Sequence, residues 1–159
     1  MKTLLLARHG KAEKADFGIY DFKRKLVERG KSDVERVSEE LKKILIPQHI
    51  ISSPAERAYQ TAKIFAKTFS IDKKTIELND SIYEASMASL LEVINEIEPQ
   101  FDCVLLTGHN PAFEFAIEYL CNINIGHLPT SGTAAIEFPF EQWNMVSEGT
   151  GTLLNLLIP

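Results

Sequence analysis

Apolar residues occur along the chain in short continuous runs that alternate with stretches of helical spacing. Leu4, Leu5 and Leu6 follow one another without a polar interruption, which predicts a buried first strand over residues 2 to 7. Residues 11 to 25 are polar and irregular, contain Gly18, and read as a loop over one end of the domain. From about Lys31, the set Val34, Val37, Leu41, Ile44 and Leu45 has helical spacing, and Pro47 closes that helix. Residues 49 to 52 form a short strand. Ser53, Pro54 and Glu56 then stand where an N-cap, a first helical residue and a capping-box acid belong. The helix they open carries Ala58, Ala62, Phe65, Ala66 and Phe69 on one face. Residues 75 to 78 read as another short strand, and Ser86 caps a helix bearing Leu90, Ile94 and Ile97. Residues 101 to 107 form a buried strand. Asn110 and Pro111 open a helix with Phe113, Ile117 and Leu120 turned inward. Residues 133 to 138, 143 to 147 and 152 to 158 read as final strands, with Gly149 and Gly151 turning between the last two.

Strand and helix alternation with buried strands implies an α/β domain whose parallel or mixed sheet is covered on both faces. The length of 159 residues fits one domain, 1–159, with a continuous core that needs no staples. The net charge of −5 argues against a general nucleic-acid binder without excluding a local basic pocket. No apolar run is long enough to span a bilayer, and Arg8 and His9 interrupt the leading leucines, which makes a poor signal peptide. Cys103 and Cys121 form no CxxC pattern and read as buried thiols of a reducing compartment. Together these predict a cytoplasmic protein that contacts neither membrane nor nucleic acid.

In such sheets, ligands bind beyond the carboxyl ends of the strands. Arg8-His9, Arg57 and His109 all follow strands at that end. Arg57 falls in the first turn of its helix and His109 just before another, where free N–H groups and the helix dipole favour anions. Two arginines and two histidines brought together suit a phosphoryl group. Arginine donates two parallel bonds to phosphate oxygens. A neutral histidine supplies a nucleophilic nitrogen near pH 7, and a bond from its other nitrogen to a backbone carbonyl would fix the useful tautomer. The intermediate would be a phosphohistidine that water hydrolyses. No metal or other cofactor is required, because Arg8, Arg57 and His109 supply positive charge. No HxH or HExxH spacing suggests a metal site.

Arg8-His9-Gly10 at the end of a first strand, Ser52-Ser53-Pro54 with Arg57 and Thr61-Ala62, and Gly108-His109-Asn110-Pro111 resemble the histidine phosphatase superfamily. The small size, Leu26 with Arg29-Gly30, Tyr83-Glu84-Ala85-Ser86 and Pro129-Thr130-Ser131-Gly132 are similar to its short SixA branch, the phosphohistidine phosphatases. The resemblance implies a three-layer α/β/α sandwich with a mostly parallel central sheet, of the phosphoglycerate mutase-like kind. It implies His9 as nucleophile, Arg8 and Arg57 as the phosphoryl clamp, and His109 as a hydrogen-bond donor to the transferring group. Glu84 falls near the position where many members carry a general acid for the leaving group. Related chains often read Arg-Pro-Leu where this one has Arg24-Lys25-Leu26, so a rigid turn residue is replaced by a charge near the site rim.

The implied activity is dephosphorylation of a phosphohistidine protein, with inorganic phosphate as product. A small phosphate ester is the alternative substrate, for which an acid such as Glu84 matters more, because an alkoxide leaves poorly unless protonated. A phosphate-dependent binding module with little turnover is the alternative from another class. Other residues have plainer readings. Ser53, Pro54 and Glu56 are explained by capping. Lys11 is either an anion contact or a solvated lysine, and Thr130, Ser131 and Gly132 either line the pocket or form a plain turn. His49 and His127 read as structural.

Overall fold

The computed structural model describes residues 1–16 and 18–159; Phe17, within the loop expected over residues 11 to 25, lies outside them. The elements are β1 (Lys2–Arg8), α1 (Glu28–Lys42), β2 (His49–Ser52), α2 (Glu56–Thr68), β3 (Glu77–Leu78), α3 (Met87–Asn95), β4 (Cys103–Gly108), α4 (Ala112–Cys121), β5 (Thr133–Phe138) and β6 (Thr152–Leu157). They build a six-stranded sheet in the order β3-β2-β4-β1-β5-β6. β1, β2, β3 and β4 pair in parallel, whereas β5 runs antiparallel to both β1 and β6.

Strand alternation divides the core into two layers. Leu4 and Leu6 of β1 and Val104 and Leu106 of β4 face α3 and α4, meeting Leu90, Ile94, Phe113 and Ile117. Leu5, Ala7 and Leu105 face α1 and α2, meeting Val34, Val37, Leu41 and Phe65. All six of these β1 and β4 leucines and valines are fully buried. This is the expected three-layer α/β/α sandwich with a mostly parallel sheet.

Several local expectations change. α1 begins at Glu28 and ends at Lys42, before Ile44, which is 47% exposed. The short strand expected over 75 to 78 is reduced to Glu77–Leu78, after a 3-10 turn at Lys73–Thr75. Ser86 caps α3 as expected, through a reciprocal box with Ser89. Residues 143 to 147 are not a strand. Trp143–Met145 form a 3-10 turn, because tertiary bonds override the local β preference. Trp143 Nε1 donates to the Phe101 carbonyl at 2.7 Å, and Asn95 Nδ2 donates to the carbonyls of Trp143 and Val146. The segment is therefore pinned beneath α3. Cys103 and Cys121 are free and half-buried, and burial pushes their thiols up to about 12 and about 11.

The loop between β1 and α1 is tied at its base. Ala12 bridges Leu26, and the Glu13 N–H donates to the Lys25 carbonyl. The Lys25 N–H in turn donates to Glu13 Oε1 at 2.8 Å. Proline at 25 could not make this bond, so here a hydrogen bond takes the place of ring rigidity. The crossing of this loop over α1 depends on Gly30, where a Cβ would overlap the Lys11 carbonyl oxygen.

Gly30→Ala is accordingly expected to destabilise the fold by about 1–3 kcal/mol, although alanine is the better helix former by about 1 kcal/mol. Urea unfolding of the two proteins checks this, and an unchanged or raised midpoint would contradict the packing argument.

Candidate active site

The carboxyl ends of β1, β2 and β4 meet at one edge of the sheet. Arg8 lies opposite Gly108 in the β1–β4 register, so His9 and His109 leave the sheet side by side. Their ring centroids are 5.2 Å apart. The His9 N–H donates to the Gly108 carbonyl, and the Ser131 N–H donates to the His9 carbonyl at 3.0 Å. Arg57 enters from the first turn of α2. The structure therefore brings together Arg8, His9, Arg57, His109 and Ser131.

His9 is 8% exposed, and its Nδ1 donates to the Gly10 carbonyl at 2.7 Å. A carbonyl only accepts, so the proton sits on Nδ1 and the Nε2 lone pair is free. Burial, reinforced by the charges of Arg57, Arg8 and Arg24, pulls the His9 pKa down to about 4. His109 is held lower still, to about 3, by burial and then by His9 and Arg57. Both rings are neutral at pH 7, so the positive charge comes from the arginines and not, as expected from sequence, from His109 as well. Gly10 is fixed in turn by Thr61, whose hydroxyl accepts from the Gly10 N–H and donates to the Arg57 carbonyl.

Arg57 is buried and Arg8 partly so, which lowers both from their usual values, yet arginine stays cationic. Arg8 Nη1 donates to the Leu128 carbonyl at 3.0 Å, and Glu114 offsets part of its burial. Arg57 gives Nη1 to the Asp21 carbonyl and Nη2 to Asp21 Oδ2. Among the described residues, the buried side-chain polar atoms without a hydrogen-bond partner are Arg8 Nε, Arg57 Nε, His109 Nδ1, Asn110 Oδ1 and Ser131 Oγ. Buried polar groups are rarely left unpaired. Here every one belongs to the segments around the two histidines, and all but Asn110 Oδ1 can donate to an anion.

Some of these supports were not apparent from the sequence. Asp21, in a 3-10 turn of the β1–α1 loop, collects Arg57, Arg24 Nε at 3.0 Å and the Tyr83 hydroxyl at 2.7 Å. The Tyr83 bond first, then Arg57 and Arg24, hold its carboxyl down at about 2. The signal for it was the Asp21–Arg24 spacing just before Leu26. Ser53 is not the N-cap of α2, whose N-cap position falls at Ala55 with no side-chain bond. Instead Ser53 Oγ accepts from the Ala55 N–H and lies 2.7 Å from His109 Nε2. Its hydroxyl is drawn to the histidine, so the expected capping box does not form. Ser52 Oγ is occupied by the Ser53 carbonyl and Thr107.

Two candidates lie outside the buried cluster. Glu84 is exposed beside Tyr83 and has a left-handed backbone, φ 54°. Lys11 is exposed and lines a neighbouring groove with Arg29, Asp33, Arg36 and Thr130. No group of three or more His, Cys, Asp or Glu side chains among the described residues is placed to hold a metal ion. None of the described helices is long and apolar enough to cross a membrane.

The family model of the histidine phosphatase superfamily, branch 1, matches residues 4–101. The chain belongs to this superfamily. It is a phosphatase, and the fold agrees with solved members of the same group. An Agrobacterium tumefaciens chain assigned as a SixA phosphohistidine phosphatase superposes with a TM-score of 0.84 at 28% identity, over 99% of this chain and 98% of that one. The protein histidine phosphatase SixA complexed with tungstate gives 0.76 at 21%, over 98% and 96%. A mycobacterial glucosyl-3-phosphoglycerate phosphatase gives 0.75 at 15%, over 98% of each chain. The last two, at lower identity, speak for the fold alone. No curated protein matches the sequence.

Because both imidazoles of this cluster are held neutral, neither should titrate between about pH 5 and 8, the range in which an ordinary histidine changes charge. Long-range proton–nitrogen NMR spectra read this directly, and a midpoint near the ordinary value for either ring would contradict the burial argument. The unfolded chain binds these protons near its ordinary histidine pKa, whereas the folded protein does so only near about 4 and about 3. The contribution of these two rings to stability is therefore complete above the unfolded value and falls as pH drops from there to about 3.

Proposed function

We infer that the protein is a phosphohistidine phosphatase that works through a covalent phosphohistidine on His9. The observation that carries this reading is the 2.7 Å bond from His9 Nδ1 to the Gly10 carbonyl in a ring kept neutral by burial. It leaves Nε2 as a nucleophile beside donors that have no other partner. The likeness to the Agrobacterium chain supports the choice of substrate.

In the first step Nε2 attacks phosphorus in line. A new N–P bond forms, and the bond to the substrate imidazole breaks with its electron pair passing to that ring. The leaving imidazole carries a proton on its distal nitrogen and departs neutral, so little acid assistance is needed. His9 is now a phosphoimidazolium, and its Nδ1–H bond to Gly10 stabilises the positive charge. Water then attacks phosphorus and the N–P bond breaks. One oxygen of the product comes from this water, both its protons stay on the phosphate, and His9 returns to its neutral state.

Arg8 and Arg57 direct positive charge at the non-bridging oxygens, where preorganised donors act most strongly. His109 presents its unpartnered Nδ1, which is a donor in the tautomer where the Ser53 hydroxyl donates to Nε2. Ser131, buried with its Oγ unpartnered, adds a further donor. Lys11 and Glu84 stand on the exposed rim, where they meet the body of the substrate rather than the transferring group.

A small phosphate ester is the second reading. It gives Glu84, exposed beside Tyr83, the part of acid. Phosphate release in excess chelator, from a phosphohistidine protein and from a panel of small esters, separates the two. Faster release from the phosphohistidine protein, abolished by His9→Ala, is the expected result; a preference for one ester would transfer the protein to the second reading. Tight phosphate binding without turnover would instead indicate a binding module. His109→Ala is expected to lower kcat by about 10²–10³-fold, as loss of a preorganised donor does elsewhere, and single-turnover kinetics give that number.

A further inference from the structure

The aromatic residues beside His109 are not needed to hold phosphate, and their arrangement is ordered. Tyr83 stands edge-on to the His109 ring, with centroids 5.7 Å apart at 78°. Phe22 stands edge-on to Tyr83 at 5.2 Å and 88°. The Tyr83 hydroxyl is anchored 2.7 Å from Asp21 Oδ2, on the carboxylate that also holds Arg57. The Tyr83 ring thus spans from His109 to the Asp21–Arg57 pair and is fixed at both ends. It is half-buried, as is Phe22, whereas His9 and His109 are buried.

Direction of attack decides what this wall can touch. His9 sits at the floor and attacks in line, so the leaving group departs on the opposite, solvent-facing side. A group attached to a protein surface has no other way to approach. Tyr83, edge-on to His109, and Phe22 beside it stand next to the buried histidines and are themselves partly exposed to solvent. Aromatic faces and edges attract one another when centroids lie roughly 4.5–7 Å apart, and an imidazole is a planar aromatic ring.

Resting on the phosphohistidine reading above, we propose that Tyr83 and Phe22 form an aromatic wall that recognises the ring of the leaving group, and so select substrates whose phosphoryl group is bonded to an aromatic heterocycle. Preorganisation by Asp21 makes the wall rigid, so little side-chain freedom is lost on binding.

The test compares phosphohistidine with phosphoramidate, which has the same phosphorus–nitrogen bond and no ring. In Tyr83→Leu and Phe22→Leu the ratio of their kcat/KM values is expected to fall roughly three- to tenfold, the size of one aromatic contact. Tyr83→Phe keeps the ring and loses the bond to Asp21; it is expected to keep the ratio, whatever happens to the absolute rates. A wall that acts only by positioning His109 or Arg57 would lower both substrates together, and an unchanged ratio in both leucine variants overturns the proposal. A binding arm is independent of the substrate reading. Phenylphosphonate is expected to inhibit more tightly than methylphosphonate, with the preference reduced in Phe22→Leu. If the enzyme proves to be an ester phosphatase but keeps this inhibitor preference, the substrate reading fails and the wall stands. Equal inhibition by the two phosphonates in the unmodified protein removes the wall itself.

Discussion

Arg8 faces Gly108 across the parallel pairing of β1 with β4, and the placement of His9 beside His109 follows from that register. The His9 N–H extends the ladder one step to the Gly108 carbonyl, which brings the two imidazoles to 5.2 Å. The register is enforced from below. Leu4 and Leu6 belong to one core layer and Leu5 and Ala7 to the other, so a slip of one residue would present each to the wrong helices. Gly108 adds a second control, because a Cβ there would come within 2.6 Å of the Phe113 ring on α4. The geometry of the candidate site is thus inherited from the packing of apolar residues that lie outside it.

The electrostatics of the site oppose its assembly. Two guanidinium groups and two imidazoles are gathered in a buried place, where each charge is costly. The chain meets this with acceptors rather than with many carboxylates. Backbone carbonyls of Leu128, Asp21 and Gly10 take bonds from Arg8, Arg57 and His9. Asp21 supplies a carboxylate that binds Arg57, Arg24 and Tyr83 at once. The histidines avoid the cost by remaining neutral, which is also the state a nucleophile requires.

Most of the sheet was legible because its strands carry unbroken apolar runs, and β2 and β5 have the boundaries expected from sequence. Arg8, His9, Arg57 and His109 were legible because each ends a strand or begins a helix. What sequence could not show was decided by partners far along the chain. Trp143 looks like a strand residue until Asn95 and the Phe101 carbonyl claim its turn. Ser53 has the spacing of a cap, but its hydroxyl is turned to His109, 56 residues away. Asp21 lies in a polar loop whose pattern carries no period, and only the fold brings Arg57 and Tyr83 to it.

The bond from His9 to the Gly10 carbonyl also settles a question of regiochemistry. With Nδ1 committed to the backbone, an electrophile that enters the site meets a single ring nitrogen, and covalent modification of His9 is directed to the tele isomer alone. His109 is turned the other way, with its tele nitrogen against Ser53 and its pros nitrogen unpartnered. Two chemically identical side chains therefore differ in the ring nitrogen that each offers, and it is the backbone and one serine that distinguish them.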